Sequence, residues 1–513
     1  MSLFDTKEER LVYGATFIDN RGSLTTVSIE NLCGFKAKRT YYLYNLQNNE
    51  PRGFHAHKNL KQAMICMKGS VDVILKDGQS TQKYHLNKPD QVLFIKECLW
   101  REIENFSDDA ILLVLASENY DENDYIRNYD EYLSYITNKE THKKVSYVAL
   151  NRLHEDLKVE ISNALEDVLD GNSFIGGERL NSFEKNFSNY IGSDYTIGCG
   201  NGLDAIVLTL KALNIGHGDE VLVPANSFIA SALAVDLAGA KPVFVDCNLD
   251  RYSIDLDQIE KHITKDTKAI LPVSLYGIPL EVERLNDIAV KHNLMIIEDA
   301  AQAHGASFFA RNSKQYPAWK ASTFSFYPTK NLGALGDGGA IVTNDSVLAK
   351  TIRTLGNYGS KEKYNHIVKG YNSRLDEIQA SVLDVKLKYL DKWNQKRRHL
   401  AEIYFRNLSH IEEIIIPNAS FNKDSIWHVF PIRVGEHDRD RLITFLKEKN
   451  IGTNIHYPIP IHKQEAYKAH SSEQHPNAER LSKELISLPL DPYHKEDEIE
   501  YVCEMIKEFY NAT

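Results

Sequence analysis

The sequence predicts two structural units of different class: an N-terminal all-β barrel or sandwich, and a C-terminal α/β unit on a parallel sheet with a smaller α/β lobe at its end. Three observations predict this. Before about residue 140, short β-rich runs alternate with turn signals, and no long helical pattern appears until Asp121–Tyr135. After it, apolar β-branched runs alternate with helical stretches, the pattern of a parallel sheet covered on both faces. Between them, Asn138–Lys144 (NKETHKK) is polar and reads as a linker. The expected division is residues 1–137, a linker at 138–145, and residues 146–513.

In the first part, TYYLYNL, AMICMKGSVDVIL, QVLFI and AILLVLAS read as strands, and Asp77-Gly78 as a hairpin turn. Short strands at this spacing build an antiparallel barrel or sandwich. In the second part, EVLVP, PVFVD, AILPVSL and LMIIED are the strands, with IASALAVDLAGA and VERLNDIAVKHN as helices between them. From about Trp427 strands and helices mix, which gives the smaller lobe.

Of the 513 residues, 60 are Lys or Arg and 71 are Asp or Glu, a net charge of −11. A general nucleic-acid binder shows the opposite balance. The six cysteines are scattered without a CxxC pair, as in a chain from a reducing cytosol. The opening MSLFDTKEERLVYG has no apolar core, and no apolar run reaches the ~18 residues of a membrane helix. The expectation is a cytoplasmic protein with neither a membrane nor a nucleic acid as partner.

Four segments of the second part carry chemistry. Gly198–Ala205 (GCGNGLDA) is a glycine-rich turn opening a helix, where free backbone N–H groups can hold a phosphate. It serves equally as an ordinary helix start. Asp299, in IIEDAAQAHG, ends an apolar strand, where open α/β sheets bind ligands. A carboxylate there can keep a pyridinium nitrogen protonated, and alone it is also a plain helix cap. Lys330 lies in SFYPTKNLG, before the glycine run Gly336–Gly339. An aromatic, proline- and glycine-bounded loop suits a Schiff-base lysine better than a solvating one. The fourth segment, Gly370–Ala380, by itself is a helix start with a polar first turn.

In this order, from about Val145 to Thr513, these segments resemble the DegT/DnrJ/EryC1/StrS sugar aminotransferases, pyridoxal 5'-phosphate enzymes of the aspartate-aminotransferase fold (fold type I). The resemblance implies Lys330 as the Schiff-base lysine and proton shuttle, Asp299 on the pyridine nitrogen and Gln302 on the ring hydroxyl. It implies Phe228 stacked on the ring, and Gly202, Leu203 and Ser325 on the phosphate. Asn372 matches an asparagine that reaches the phosphate from a partner subunit, which implies a homodimer or higher homo-oligomer. The presence of Lys330, where sugar dehydratases of the family carry histidine, favours transamination. His304 is expected to be structural or a supporting group.

The first part has its own cluster, Pro51–Lys58 (PRGFHAHK). On a strand, His55 and His57 face the same way. HxH is a metal signature of cupin barrels, but Gln62 stands where the cupin glutamate belongs, Gly69 fits the following glycine, and the third-histidine slot near Leu99–Arg101 is without one. Two imidazoles and an amide make a poor divalent site, so a metal-free acid/base pair is favoured. With DNRGSL, KRTYY and YDENDYIR, residues 10–135 resemble the dTDP-sugar 3,4-ketoisomerases, the WxcM-like cupins.

That resemblance implies a cupin jelly-roll that moves a ketone between adjacent sugar carbons through an enediol. His55 and His57 are the acid/base candidates, with Tyr41 as relay or orienting group. Arg39, Arg52 and Arg101 are candidates for the diphosphate or the oxyanion, and Arg21 and Arg101 for the choice of C4 configuration. The two halves then form a sequence on one dTDP-linked keto sugar: ketone transfer to C3, then amination with L-glutamate as donor. The alternatives are a cupin that is non-catalytic or metal-binding, and a cofactor-bearing regulator.

Overall fold

The structure is a computed structural model that describes residues 11–46, 50–141, 144–306 and 316–511. Residues 142 and 143 of the expected linker, and the first ten residues, lie outside the described residues. The chain divides into two units, Met1–Lys143 and Lys144–Thr513.

The first unit contains β1 (Leu11–Tyr13), β2 (Ala15–Asp19), β3 (Gly22–Thr26), the short helix α1 (Ile29–Cys33), β4 (Arg39–Leu43), β5 (Arg52–His57), β6 (Gln62–Lys68), β7 (Val71–Lys76), β8 (Thr81–Leu86), β9 (Gln91–Ile95), β10 (Trp100–Glu104), β11 (Ile111–Ala116) and β12 (Tyr125–Ile126). Two five-stranded sheets result, ordered β1-β9-β6-β11-β4 and β12-β5-β10-β7-β8. β11 alternates half-buried and buried side chains, as a period of two requires. Met64, Leu93, Leu112 and Val114 of one sheet pack on Val73, Leu75 and Ile103 of the other. Each such side chain contributes roughly 1.5–3 kcal/mol on burial.

β5 is interrupted by a bulge. Gly53 and Phe54 take φ of 91° and 49°, and the register against β10 slips between Arg101 and Glu102. A side chain at position 53 would put its Cβ 2.8 Å from the Arg101 carbonyl, so glycine is required. Beyond the bulge His55 and His57 share one side of the strand.

The expected helix over Asp121–Tyr135 begins later. Asp121 accepts from Asn123 N and closes a single turn over Glu122–Asp124; β12 then pairs with β5, and α2 spans Tyr129–Thr141. Local side-chain capture by aspartate and the open edge of β5 override the helical pattern. Residues 138–141 of the expected linker are the last turn of α2.

The second unit opens with α3 (Leu150–Asp156), α4 (Lys158–Gly171) and α5 (Glu178–Ile191). Its sheet follows: β13 (Tyr195–Cys199), β14 (Glu220–Pro224), β15 (Lys241–Val245), β16 (Thr267–Ile270), β17 (Met295–Asp299), β18 (Trp319–Ser325) and β19 (Gly339–Thr343), ordered β13-β19-β18-β17-β16-β14-β15. Helix α6 (Gly202–Ala212) follows β13, and α7 (Ile229–Ala238) follows β14.

β14 to β18 are parallel, as the alternation of strands and helices predicts. β19 runs antiparallel to both neighbours, because the chain returns from β18 through a loop instead of a crossover helix. That loop carries Lys330. Successive residues of the central strands enter opposite cores: Val221 and Val223 on one face, Leu222 on the other. The final lobe holds the antiparallel strands Ile414–Ile415, Phe430–Val434 and Leu485–Leu488. Among the described residues no helix is long and apolar enough to cross a membrane.

Candidate active sites

In the second unit, the carboxyl ends of β17 and β18 converge with the start of α6. Asp299, the last residue of β17, is buried; it accepts from Ser231 Oγ at 2.7 Å and from Ala301 N at 3.1 Å. Burial raises its pKa, and these two donors work against that. Lys330 follows the Tyr327–Thr329 turn, its amide bonded to Tyr327 O at 2.8 Å. Burial pushes its amine down to about 8, with Asp299 opposing. An amine that is easily neutral is what Schiff-base chemistry needs. The loop is pinned at Gly333, whose carbonyl accepts from the buried Lys386 Nζ at 2.7 Å.

Gly202 opens α6, and Asn201 caps it by accepting from Asp204 N at 2.8 Å. A Cβ on Gly202 would lie 2.7 Å from Ser325 Cβ, and one on Gly339 would lie 2.4 Å from the Asn201 backbone. These glycines bring a helix N-terminus against the end of β18, a cradle for an anion. Leu203 lies in the first turn of α6. Phe228 is 54% exposed and pairs with Tyr457 at 5.4 Å between ring centroids. Gln302 is buried, accepting from Tyr276 N at 2.7 Å and donating to Tyr457 Oη at 3.1 Å. Asn372 is exposed, next to Ser373, whose hydroxyl accepts from Gly200 N at 3.0 Å. His304 is fully buried; its Nε2 donates to Ser325 O at 2.9 Å and its ring packs near Phe324 and Phe326. Sequence reasoning missed Ser231, Lys386 and Tyr457, which carry no local signal.

These residues fit pyridoxal phosphate. The glycine cradle takes a phosphate, Asp299 offers a carboxylate at the strand end, and Lys330 has a desolvated amine.

In the first unit a cavity of about 430 Å³ opens into the barrel, lined by Arg39, Tyr41, Arg52, His55, Gln62, Arg101, Tyr125 and Arg127 among others. His55 Nδ1 lies 2.8 Å from Gly53 O. His57 is buried beside it, with ring centroids 4.9 Å apart, and its Nδ1 lies 3.0 Å from Asp124 Oδ2. Asp124 also accepts from Asn59 N at 2.8 Å, which fixes its position. A carbonyl and a carboxylate only accept, so both imidazoles carry hydrogen on Nδ1 and keep Nε2 as a base. Burial, then the charge of Arg101, lowers His55 to about 4 and His57 to about 2, so both are neutral at neutral pH.

Two of the candidate arginines are placed differently from Arg39 and Arg52. Arg21 sits at the tip of the β2–β3 hairpin, paired with Asp19 at 2.5 Å, and does not line the cavity. Arg101 lines it but is fully buried, held by Gln62 Oε1 and by Leu99 O at 3.0 Å. Tyr125 and Arg127 complete the cavity wall, with Asp124 behind it on His57; the guanidinium of Arg127 lies 4.3 Å from the Tyr125 ring centroid. The YDENDYIR run held these residues, but its helical reading hid them.

Fold and sites together define a pyridoxal-phosphate-dependent aminotransferase joined to a cupin-like barrel. The chain belongs to the DegT/DnrJ/EryC1/StrS aminotransferase family, whose description matches residues 155–507. Residues 8–137 match the WxcM-like, C-terminal domain. A similar curated protein is the dTDP-3-amino-3,6-dideoxy-alpha-D-galactopyranose transaminase of Aneurinibacillus thermoaerophilus, 46% identical over 71% of this chain and 99% of its own length. Among solved structures, S. venezuelae DesV in complex with a ketimine intermediate superposes with a TM-score of 0.68 at 40% identity, covering 71% of this chain and 98% of its own. NtdA from Bacillus subtilis with bound cofactor PMP has a TM-score of 0.67 at 35% identity, over 71% and 85% of the two chains.

Proposed function

We propose that the protein is bifunctional and acts twice on one nucleotide sugar. The N-terminal unit converts dTDP-4-keto-6-deoxy-D-glucose into a 3-keto sugar. The C-terminal unit then aminates C3, with L-glutamate as donor, to give a dTDP-3-amino-3,6-dideoxyhexose of galacto or gluco configuration. The product is a building block for a surface polysaccharide or a glycosylated metabolite, made in the cytoplasm.

The observation that carries this reading is a neutral imidazole, His55, lining one cavity with Tyr41 and several arginines, and a second neutral imidazole, His57, buried directly against it. Ketone transfer needs a base for the C3 proton, a donor for the carbonyl oxygen, and return of a proton to C4. His55 and His57 supply base capacity, Asp124 orients His57, and Arg39, Arg52 and Arg127 favour an anionic diphosphate. The relatives matched by the C-terminal unit, one of them a dTDP-3-amino sugar transaminase, give the second step its substrate class.

In that step the cofactor serves as an electron sink. Lys330 would hold it and carry the proton, Asp299 would keep the ring nitrogen charged, Gln302 would meet the ring hydroxyl and Phe228 would cover a ring face. The Gly202 and Leu203 amides with Ser325 hold the phosphate. Asn372 reaches the site of a partner subunit, so the working unit is at least a homodimer.

Incubation with the 4-keto sugar in D2O, without amino donor, tests the first step. A 3-keto sugar is expected, with deuterium at C4 to the extent that the proton held by the histidine exchanges with solvent, and an unchanged substrate would remove the isomerase.

A further inference from the structure

The floor of the N-terminal cavity carries a hydrogen-bond chain with a fixed direction. Arg101 Nη1 donates to Gln62 Oε1, and Gln62 Nε2 donates to Tyr41 Oη at 2.8 Å. A guanidinium has donors only, so Gln62 must turn its oxygen to Arg101 and its NH2 to Tyr41. The tyrosine oxygen is then an acceptor in this chain, and its own hydrogen is left for an acceptor in the cavity that Tyr41 lines. Gln62 and Arg101 are both fully buried, and Arg101 is anchored a second time on Leu99 O, so the order cannot invert by side-chain rotation. Burial also raises the Tyr41 pKa, which keeps the hydroxyl protonated.

Resting on the isomerase reading above, we propose that Gln62 is a positioning residue that makes Tyr41 the proton donor to the sugar carbonyl oxygen. The electrons then balance as follows. A histidine Nε2 takes the C3 proton, that C–H pair becomes the C3–C4 double bond, and the C4 carbonyl pair moves onto oxygen and takes the Tyr41 proton. The second half reverses this one carbon over: the C3 hydroxyl returns its proton to Tyr41, the C3 carbonyl forms, and the histidine proton goes to C4. No oxidant or metal enters the balance. A glutamate at position 62 would accept from both Arg101 and Tyr41 and turn the phenolic hydrogen away from the sugar.

The test uses the full-length holoenzyme and the 4-keto sugar, with isomerisation read by NMR. Gln62→Glu and Gln62→Met should lower kcat by roughly 10- to 100-fold, inside the usual range for a proton donor, and leave KM within about threefold. Tyr41→Phe should lose a comparable factor. Because Gln62 acts through Tyr41, adding Gln62→Met to Tyr41→Phe should cost nothing further. Losses that multiply, or single variants that keep wild-type kcat, overturn the proposal. Thermal unfolding and retained transamination of a 3-keto sugar report the fold of each variant. An inactive wild-type isomerase would instead refute the parent reading, so the two failures are distinct.

Discussion

His57 Nδ1 lies 3.0 Å from Asp124 Oδ2, although 67 residues separate them in the chain. The carboxylate sits on a single helical turn at the edge of β5, the strand that presents the imidazole. It sets the tautomer and aims Nε2 as a base. An asparagine in its place lets an amide NH2 face Nδ1 and favours the opposite tautomer. Asp124→Asn should lower isomerase kcat by roughly 100-fold, with transamination of a supplied 3-keto sugar unchanged. NMR rates of the two half-reactions check this.

The pH behaviour follows from the same burial. His55 and His57 are held at about 4 and about 2, against 6.5 for a free imidazole. The unfolded chain therefore binds protons first on acidification. Stability of the N-terminal unit is full above 6.5 and falls as pH drops toward the folded values. Chemical denaturation at several pH values should show this loss, reduced in a His55→Asn/His57→Asn variant. Isomerase kcat/KM should stay level from about pH 5 to 8, without the limb near neutrality that an unperturbed histidine gives.

The cofactor site can be probed apart from the sugar. Ser231 Oγ donates to Asp299 Oδ2 at 2.7 Å. Removing a bond of about 1.5–3 kcal/mol to a charged group should raise the Asp299 pKa further. Ser231→Ala should bind pyridoxal phosphate about tenfold more weakly in a spectroscopic titration.

Gly202→Ala tests the phosphate cradle. The new Cβ would lie 2.7 Å from Ser325 Cβ and 3.2 Å from Ser325 Cα at the end of β18. A loss of about 1–3 kcal/mol in stability is expected, together with weaker cofactor binding. Calorimetric unfolding with and without cofactor separates the two effects.

Lys330→Ala should abolish the visible band of the lysine-bound cofactor and all transamination, and leave ketone transfer intact. Persistence of the band would reassign the lysine.

Much of the architecture was legible because periodicity is local. The alternating runs gave the strands of both units, and the SFYPTKNLG loop marked Lys330 as out of place for a solvating residue. The antiparallel entry of β19 was not legible, since it depends on how a loop returns. Nor was the role of Asp124, whose neighbourhood reads as the start of a helix until β12 pairs with β5. The arginines divided for a similar reason: sequence shows a charge but not whether it lies on a hairpin tip, as Arg21 does, or buried in the cavity floor, as Arg101 does.

The most direct measurement is the product formed when the purified chain receives dTDP-4-keto-6-deoxy-D-glucose, pyridoxal phosphate and L-glutamate together, assigned by NMR. A dTDP-3-amino-3,6-dideoxyhexose is predicted, with its ring couplings reporting galacto or gluco at C4. A 4-amino product would contradict the account, because the aminotransferase would then take the substrate before any ketone transfer.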